Sequence, residues 1–358
     1  MSTLPSLTLP KPDDWHLHLR DGAMMKAVLP YTARHFARAV VMPNLKPAVT
    51  TTAAAQAYRE RIRQALPPHM TFTPLMTAYL TDKTDPDDLE RGYNEGILFA
   101  AKLYPAGVTT NSEDGVTDIQ AISHILDRLQ KIGMPLLIHG EVADPAVDFF
   151  DRETVFIDRV LIPMRRNFPE LKVVLEHITT RHAAEYIVSE AQISGGKLAA
   201  TITAHHLLIN RNAMFEGGMH PHHFCLPIVK SETDRQAIIM AATSGAQMFF
   251  AGTDSAPHPR TAKESARGSG GIFSAPNALA IYAQIFDEAG ALDRLENFLC
   301  LNGPAFYDLP VNAATITLEK LAEPAQPLKP ILTEEGQEIL AFPAESPLSW
   351  RVVEKELL

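Results

Sequence analysis

The sequence predicts an α/β protein: one (β/α)8 TIM barrel followed by a short C-terminal extension. Three observations carry that expectation. Eight short apolar or β-branched runs recur along the chain, each followed by a stretch of helical character. Several of these runs (AVVMP, MPLLIHG, KVVLEH) are apolar nearly throughout, as strands are when helices cover both faces of a parallel sheet. No break in composition divides the first 310 residues. An open, doubly wound sheet has the same alternation, so closure is an expectation that strand counting alone does not decide.

The strand candidates are 14–19, 39–43, 71–80, 97–104, 134–139, 172–177, 197–203 and 248–253. Helical patterns fill the gaps at 51–66, 86–96, 117–132, 154–167, 180–194 and 231–245. Thr117 and Thr180 are placed as N-caps, whose hydroxyl oxygen accepts from a free backbone N–H of the first turn. Gly96, Gly133 and Gly245 stand where a helix should stop. Past Gly303 the pattern becomes a proline-spaced tail with two weak strand-like pieces, ATITLE and EILAFPAE. It holds too few large apolar residues for a core of its own. The expected division is therefore 1–310 for the barrel and 311–358 for an extension packed on it.

A chain of 358 residues suits one such barrel, which commonly spans about 250 to 400 residues. Hydrophobic residues at 46% and charged ones at 21% exclude disorder over most of the chain. With 32 basic and 42 acidic residues the net charge is −10, and no run of Lys or Arg overrides it, so neither nucleic acid nor an anionic membrane is an expected partner. The most apolar stretch, 237–253, is interrupted by Thr243, Ser244 and Gln247 and falls short of the roughly 20 residues a bilayer span needs. Two cysteines, Cys225 and Cys300, cannot build a disulfide framework, and MSTLPSLTLPKPDDW lacks the order of a signal peptide. A cytoplasmic protein is expected. The unusual count is 14 histidines, side chains that ligate metals and move protons near neutral pH.

His16 and His18 lie in DWHLHLRDG at the end of the first strand, where positions i and i+2 share a face and both imidazoles can reach one metal. His139 closes the fifth strand, His177 the sixth and Asp254 the eighth. In a barrel all these carboxyl-terminal ends converge on one mouth, where active sites of this architecture are built. Lys102 sits among apolar neighbours in the fourth strand. It reads as a snorkelling strand-end lysine, as a Schiff-base amine, or as a carbamate whose two oxygens bridge two metals. Four imidazoles and a carboxylate exceed one tetrahedral zinc site, and that favours the bridge. His220, His222 and His223 form a second cluster in GGMHPHHFC, readable as a polar loop or a metal site. His205 and His206 are adjacent, so if they lie on a strand at most one faces the mouth.

DWHLHLRDG, MPNLKPAVTT, AAKLYPAGVTTNSEDG, LLIHGE, LEHITT, FCLPIVK, GTDSAPHPR and LNGPAFYDLP together resemble the class II dihydroorotases of pyrimidine biosynthesis, within the amidohydrolase superfamily. The resemblance runs from about Pro12 to Pro310. It implies a cytoplasmic homodimer with a metal-dependent barrel that interconverts N-carbamoyl-L-aspartate and L-dihydroorotate. It implies two zinc ions per subunit, bridged by N6-carboxylated Lys102 and a hydroxide. His16, His18 and Asp254 would hold the more buried ion, and His139 and His177 the more exposed one. Arg20, Asn44 and His258 would meet the substrate carboxylate, the backbone at Leu226 and Gly270 the ring amide, and Thr109 and Thr110 would lie on a loop closing over the site. His139 would also touch substrate. Gly270 stands where the family has alanine.

On that reading a hydroxide attacks the ring carbonyl while Asp254 moves the proton to the leaving nitrogen, and the same groups run backwards in cyclisation. An arginine suits a carboxylate because its planar fork binds both oxygens, the alternative for Arg20 being a surface pair with Asp21. Other cyclic amidases, such as hydantoinases, would share the metal cage but not the carboxylate-binding groups. A catalytically silent barrel would have lost ligands, and a one-metal deaminase has no use for the strand-four lysine.

Overall fold

The computed structural model describes residues 5–343 and 347–353. Thirteen strands follow in chain order: β1 (Ser6–Pro10), β2 (Asp13–Leu17), β3 (Arg38–Val41), β4 (Thr73–Tyr79), β5 (Ala100–Leu103), β6 (Leu136–His139), β7 (Val173–Glu176), β8 (Leu198–Ile202), β9 (Phe249–Ala251), β10 (Thr315–Ala325), β11 (Ile331–Leu332), β12 (Glu338–Ile339) and β13 (Leu348–Val352). Strands β2 to β9 form one parallel sheet in which each strand pairs with the next. At the seam the last strand returns to the first: Leu17 forms a parallel bridge with Ser255, and the Asp254 N–H donates to His16 O at 2.9 Å. Buried Asp14 ties the same seam, accepting from Thr253 N at 2.8 Å and from Thr253 Oγ1 at 2.6 Å. The sheet is a nearly closed (β/α)8 barrel, as the alternation predicts.

Strand parity fills the barrel. Val40, Met42, Ala100, Leu137, Val174, Ala199 and Phe250 point inward and pack with Trp15. Tyr307 stacks on Trp15 at 4.6 Å between centroids and lies 5.0 Å from Phe99, the residue just before β5, so it plugs the amino-terminal end. Gly303 is required there, because a Cβ would approach Trp15 Nε1 to 1.9 Å. Two positions beyond Ala100, Leu137 and Val174, the same inward parity carries Lys102, His139 and Glu176 to the opposite, carboxyl-terminal end.

Thr180 caps the helix Arg181–Ile193 by accepting from Ala183 N, and Gly133, at φ +73°, ends Ser123–Ile132. Thr117 is not a cap. Its N–H and hydroxyl both donate to Asp82, turns occupy the next few residues, and the helix begins at Ser123 without a side-chain cap. The helix expected at 154–167 starts at Arg152 and widens into a π turn at Ile157–Leu161, which ends two residues before Pro163, a residue that lacks an N–H to donate. Among the described residues, two helices of more than ten residues escape the sequence patterns, besides shorter ones such as Ala204–Leu208. Gly22–His35 contains Pro30, and Ala278–Glu288 buries eight of its eleven residues and so shows no polar face.

The tail is less separate than its composition suggests. ATITLE lies in and just before β10, which pairs antiparallel with both β1 and β13, so residues near the start of the chain complete its sheet. EILAFPAE yields only the two-residue β12, paired with β11, and its last two residues fall outside the described ones. Among the described residues no helix is long and apolar enough to cross a membrane.

Candidate metal centre

The strand ends bring His16, His18, His139, His177 and Asp254 to one cavity at the mouth, lined also by Arg20, Asn44, Thr109, Thr110, Leu226 and Gly270. Lys102 lies beneath it, fully buried, which excludes the snorkelling alternative. Its ammonium is paired with Glu176 and stands 4.5 Å from the Tyr104 ring centroid. His258 lies in the wall between this cavity and a neighbouring one, with Nε2 3.0 Å from both Arg20 Nη2 and Gly270 O.

Backbone irregularity aims several of these groups. The pairing of β2 with β3 shifts register between Asp14 and Leu17, so His16 reaches the mouth although its neighbour Trp15 points down the barrel. Among the described residues five non-glycines have positive φ, and three of them are Arg20 (+60°), His177 (+43°) and Asp254 (+44°). Such a conformation costs about 1–3 kcal/mol per residue and persists where its surroundings impose it, typically at functional sites. The turn at His177 lets it and the preceding Glu176 both face inward, where a regular strand would send them to opposite faces. His177 N–H donates to Thr201 Oγ1 at 2.7 Å, and the two residues after LEHI are held by Glu153, which accepts from the N–H and hydroxyl of both Thr179 and Thr180.

Asp254 Oδ1 lies 3.2 Å from His16 Nε2 and 3.1 Å from His18 Nε2, and these two nitrogens are 3.2 Å apart. On its other side His16 Nδ1 is 3.0 Å from Glu176 Oε1. The His177 ring sits 4.9 Å from His16 and 4.8 Å from His139, centroid to centroid. Burial alone lowers the His16 pKa, but the flanking Glu176 and Asp254 carboxylates raise it to about 9. Burial lowers His18 to about 4 and, with His139 and His16 nearby, holds His177 well below the usual imidazole value. Burial would raise Asp254, yet the two imidazoles hold its carboxyl well below the usual range. Two ionised carboxylates, Asp254 and Glu176, thus flank a protonated His16, while His18 and His177 are neutral, so positive charge is favoured between the two carboxylates.

That donor set fits divalent metal. The ligand atoms of His16, His18 and Asp254 lie within 4.8 Å of one another, as do those of His16, Glu176 and His177, and buried His177 Nδ1 has no hydrogen-bond partner. Nitrogen and carboxylate ligands of this kind suit zinc. A third cluster, His205, His206 and Cys225, fits less well: His206 Nε2 and the Cys225 thiol both face Pro227 O, so neither needs an ion. His205 and His206 lie on the short helix Ala204–Leu208, not on a strand, and both are buried with rings 4.5 Å apart. His220, His222 and His223 belong to a polar loop. They face Glu216 O, Glu264 and Ala213 O respectively, and line the neighbouring cavity.

The loop at 105–115 lies over the mouth. Asn44 Nδ2 donates to Thr110 O at 3.0 Å, and Asn111 Nδ2 donates back to Asn44 O at 2.9 Å. Arg20 is at the cavity and not paired with Asp21, which binds Arg61 instead. An alanine at Gly270 would bring its Cβ within 3.0 Å of Leu226, so glycine leaves that side chain undisturbed. Sequence reasoning missed Glu176, Glu141 (2.8 Å from His139 Nε2) and Tyr104. Parity with Val174 was the available signal for Glu176.

The Amidohydrolase family model matches residues 4–323. The chain belongs to the amidohydrolase family. Within it, the chain stands with the dihydroorotases: it is 60% identical over 314 residues to a protein of that name from Cupriavidus taiwanensis, covering 88% of this chain and 90% of that one. The dihydroorotase structure from Campylobacter jejuni superposes with a TM-score of 0.88 at 35% identity, covering 99% of each chain. That from Saccharomyces cerevisiae, in complex with 5-fluoroorotic acid, gives 0.89 at 32%, covering 97% of this chain and 98% of the other.

Proposed function

We propose that this dihydroorotase interconverts N-carbamoyl-L-aspartate and L-dihydroorotate with Asp254 as general acid and base and two zinc ions at the mouth. The observation that carries the reading is Asp254 within 3.2 Å of both His16 and His18, at a cavity that Arg20 also lines. His16, His18 and Asp254 would hold one ion, His139 and His177 the other, with carboxylated Lys102 between them. When bound, the ions would lower the pKa of a water and polarise the ring carbonyl.

The chain's own residues supply the rest. Arg20 presents a guanidinium to the substrate carboxylate, joined by Asn44 and His258, and these groups favour an acid over the uncharged ring of a hydantoin. Backbone at Leu226 and Gly270 meets the ring amide, and Thr109 and Thr110 close over it to exclude water. His139 also faces the substrate. In hydrolysis the ring C–N bond breaks as a C–O bond forms, and Asp254 carries the proton from the attacking oxygen to the leaving nitrogen. In cyclisation it returns that proton to the departing oxygen.

The convergence of all six ligand candidates argues against a silent barrel. The proposal extends to a division at residue 310, with β1 paired to the extension, and to a cytoplasmic homodimer, for which the family resemblance is the support. The test is an absorbance assay of dihydroorotate breakdown on a sample of known metal content, repeated with Asp254→Asn. The variant should keep metal better than activity. Full turnover by it would remove the proton-carrying role.

A further inference from the structure

Lys263 is buried at 4% exposure, yet it lines the neighbouring cavity and not the one at the mouth. Its three ammonium hydrogens have three backbone acceptors: Phe224 O at 2.7 Å, Ser269 O at 2.9 Å and Gly271 O at 2.7 Å. The Phe224 ring lies 6.0 Å from the charge. A buried ammonium persists only when its donors are satisfied, and here every one is directed at a loop carbonyl.

The loops it joins are those that form one wall of the candidate site. Phe224 leads into Leu226, and Ser269 and Gly271 flank Gly270; Leu226 and Gly270 both line the cavity. A direct bond ties the same loops, from Gly271 N–H to Phe224 O at 3.0 Å. The front of the wall is occupied too: Gly270 O lies 3.0 Å from His258 Nε2 and 3.4 Å from Thr110 Oγ1, so the carboxylate-binding group and the covering loop both register on it. Gly271 has φ +149°, and a Cβ there would meet Ala256 O at 2.8 Å and the His258 ring at 2.9 Å, which leaves the loop no slack on that side.

We propose that Lys263 is a positioning residue that sets the spacing of the Leu226 and Gly270 segments, and thereby the affinity for the substrate ring, without touching substrate or metal. The inference rests on the reading of that wall as the ring-amide contact. Loss of the ammonium removes its bonds to Ser269 O and Gly271 O and leaves Phe224 O only the bond from Gly271 N–H, so a single direct contact is left to hold the two segments at their spacing. Because the contact is made in both ground and transition states, its loss appears in KM and not in kcat.

The experiment compares wild type with Lys263→Met in dihydroorotate hydrolysis, with metal content and far-UV circular dichroism measured on the same samples. The expected result is KM raised about tenfold, kcat within about twofold and metal content unchanged. If Lys263→Met does not fold, Lys263→Gln, which keeps two donors, replaces it and should raise KM several-fold with kcat retained. Lys263→Arg, which keeps charge and donors, should recover much of the affinity. A folded, metal-loaded variant with unchanged KM overturns the proposal, as does a fall confined to kcat. A wild type that does not turn over dihydroorotate overturns the assigned reaction instead, so the two failures are distinguishable.

Discussion

Glu153 is the support for the His177 turn, and its removal should be costly. The carboxylate is 2% exposed and accepts from Thr179 N at 2.9 Å, Thr179 Oγ1 at 2.9 Å, Thr180 N at 2.8 Å and Thr180 Oγ1 at 2.6 Å. The two N–H groups belong to the N-cap Thr180 and the residue before it, just ahead of the helix Arg181–Ile193, so the anion also sits at the favourable end of the helix dipole. Burial raises the Glu153 pKa, with nearby Lys230 and the Thr179 and Thr180 donors opposing that shift. In Glu153→Ala the hydroxyls can rotate toward other acceptors, but two buried N–H groups lose theirs at about 1–3 kcal/mol each, giving roughly 4 kcal/mol in all. For a chain of 358 residues, whose unfolding entropy is about 0.7 kcal/mol per kelvin, the melting temperature should fall by about 5 °C. Glu153→Gln keeps one acceptor oxygen and should fall by about half as much. Scanning calorimetry with parallel metal analysis reads both effects, the second because Thr179 lies two residues beyond His177. A melting temperature within about 1 °C of wild type, with metal content unaltered, would refute the assignment of Glu153 as the anchor of this turn.

Lys102→Ala should lose at least one metal ion and most activity, with partial rescue by a short carboxylic acid; unchanged metal content rules out the bridge. Arg20→Lys keeps the charge but loses the fork, and should raise KM for the dicarboxylic substrate by about tenfold or more while kcat changes less. Thr110→Ala removes the side-chain contact to Gly270 O and should raise KM modestly, and a variant with wild-type kinetics would show that the loop closes without that contact, through its bonds to Asn44 and Tyr79.

What the sequence made legible followed from periodicity. Apolar runs and parity placed the strands, and parity also carries Lys102 and His139 inward, since each lies two residues beyond an inward-facing neighbour. Glu176 was hidden because it precedes a histidine already read as inward, and only the left-handed backbone at His177 allows both to face the site. Thr117 resembles a cap, but Asp82 takes both of its donors, a contact 35 residues away that no local pattern contains. The helix Ala278–Glu288 lacks the polar stripe that marks a surface helix because most of it is interior. The pairing of β1 with β10 joins residues about 309 apart, as between Thr8 and Thr317, so the extension reads as separate from the start of the chain when it is not. Lys263 was passed over for a related reason: a lysine in a polar stretch reads as surface until its three carbonyl partners are seen.

The proposed function requires two metal ions at one mouth, built from β2, β5, β6, β7 and the turn after β9, for turnover of dihydroorotate. Metal stoichiometry measured on the same sample used for the absorbance assay tests it most directly. The predicted result is two zinc ions per chain, with activity that disappears on chelation and returns when zinc is restored. Full turnover by metal-free protein, or none by protein carrying both ions, would contradict it.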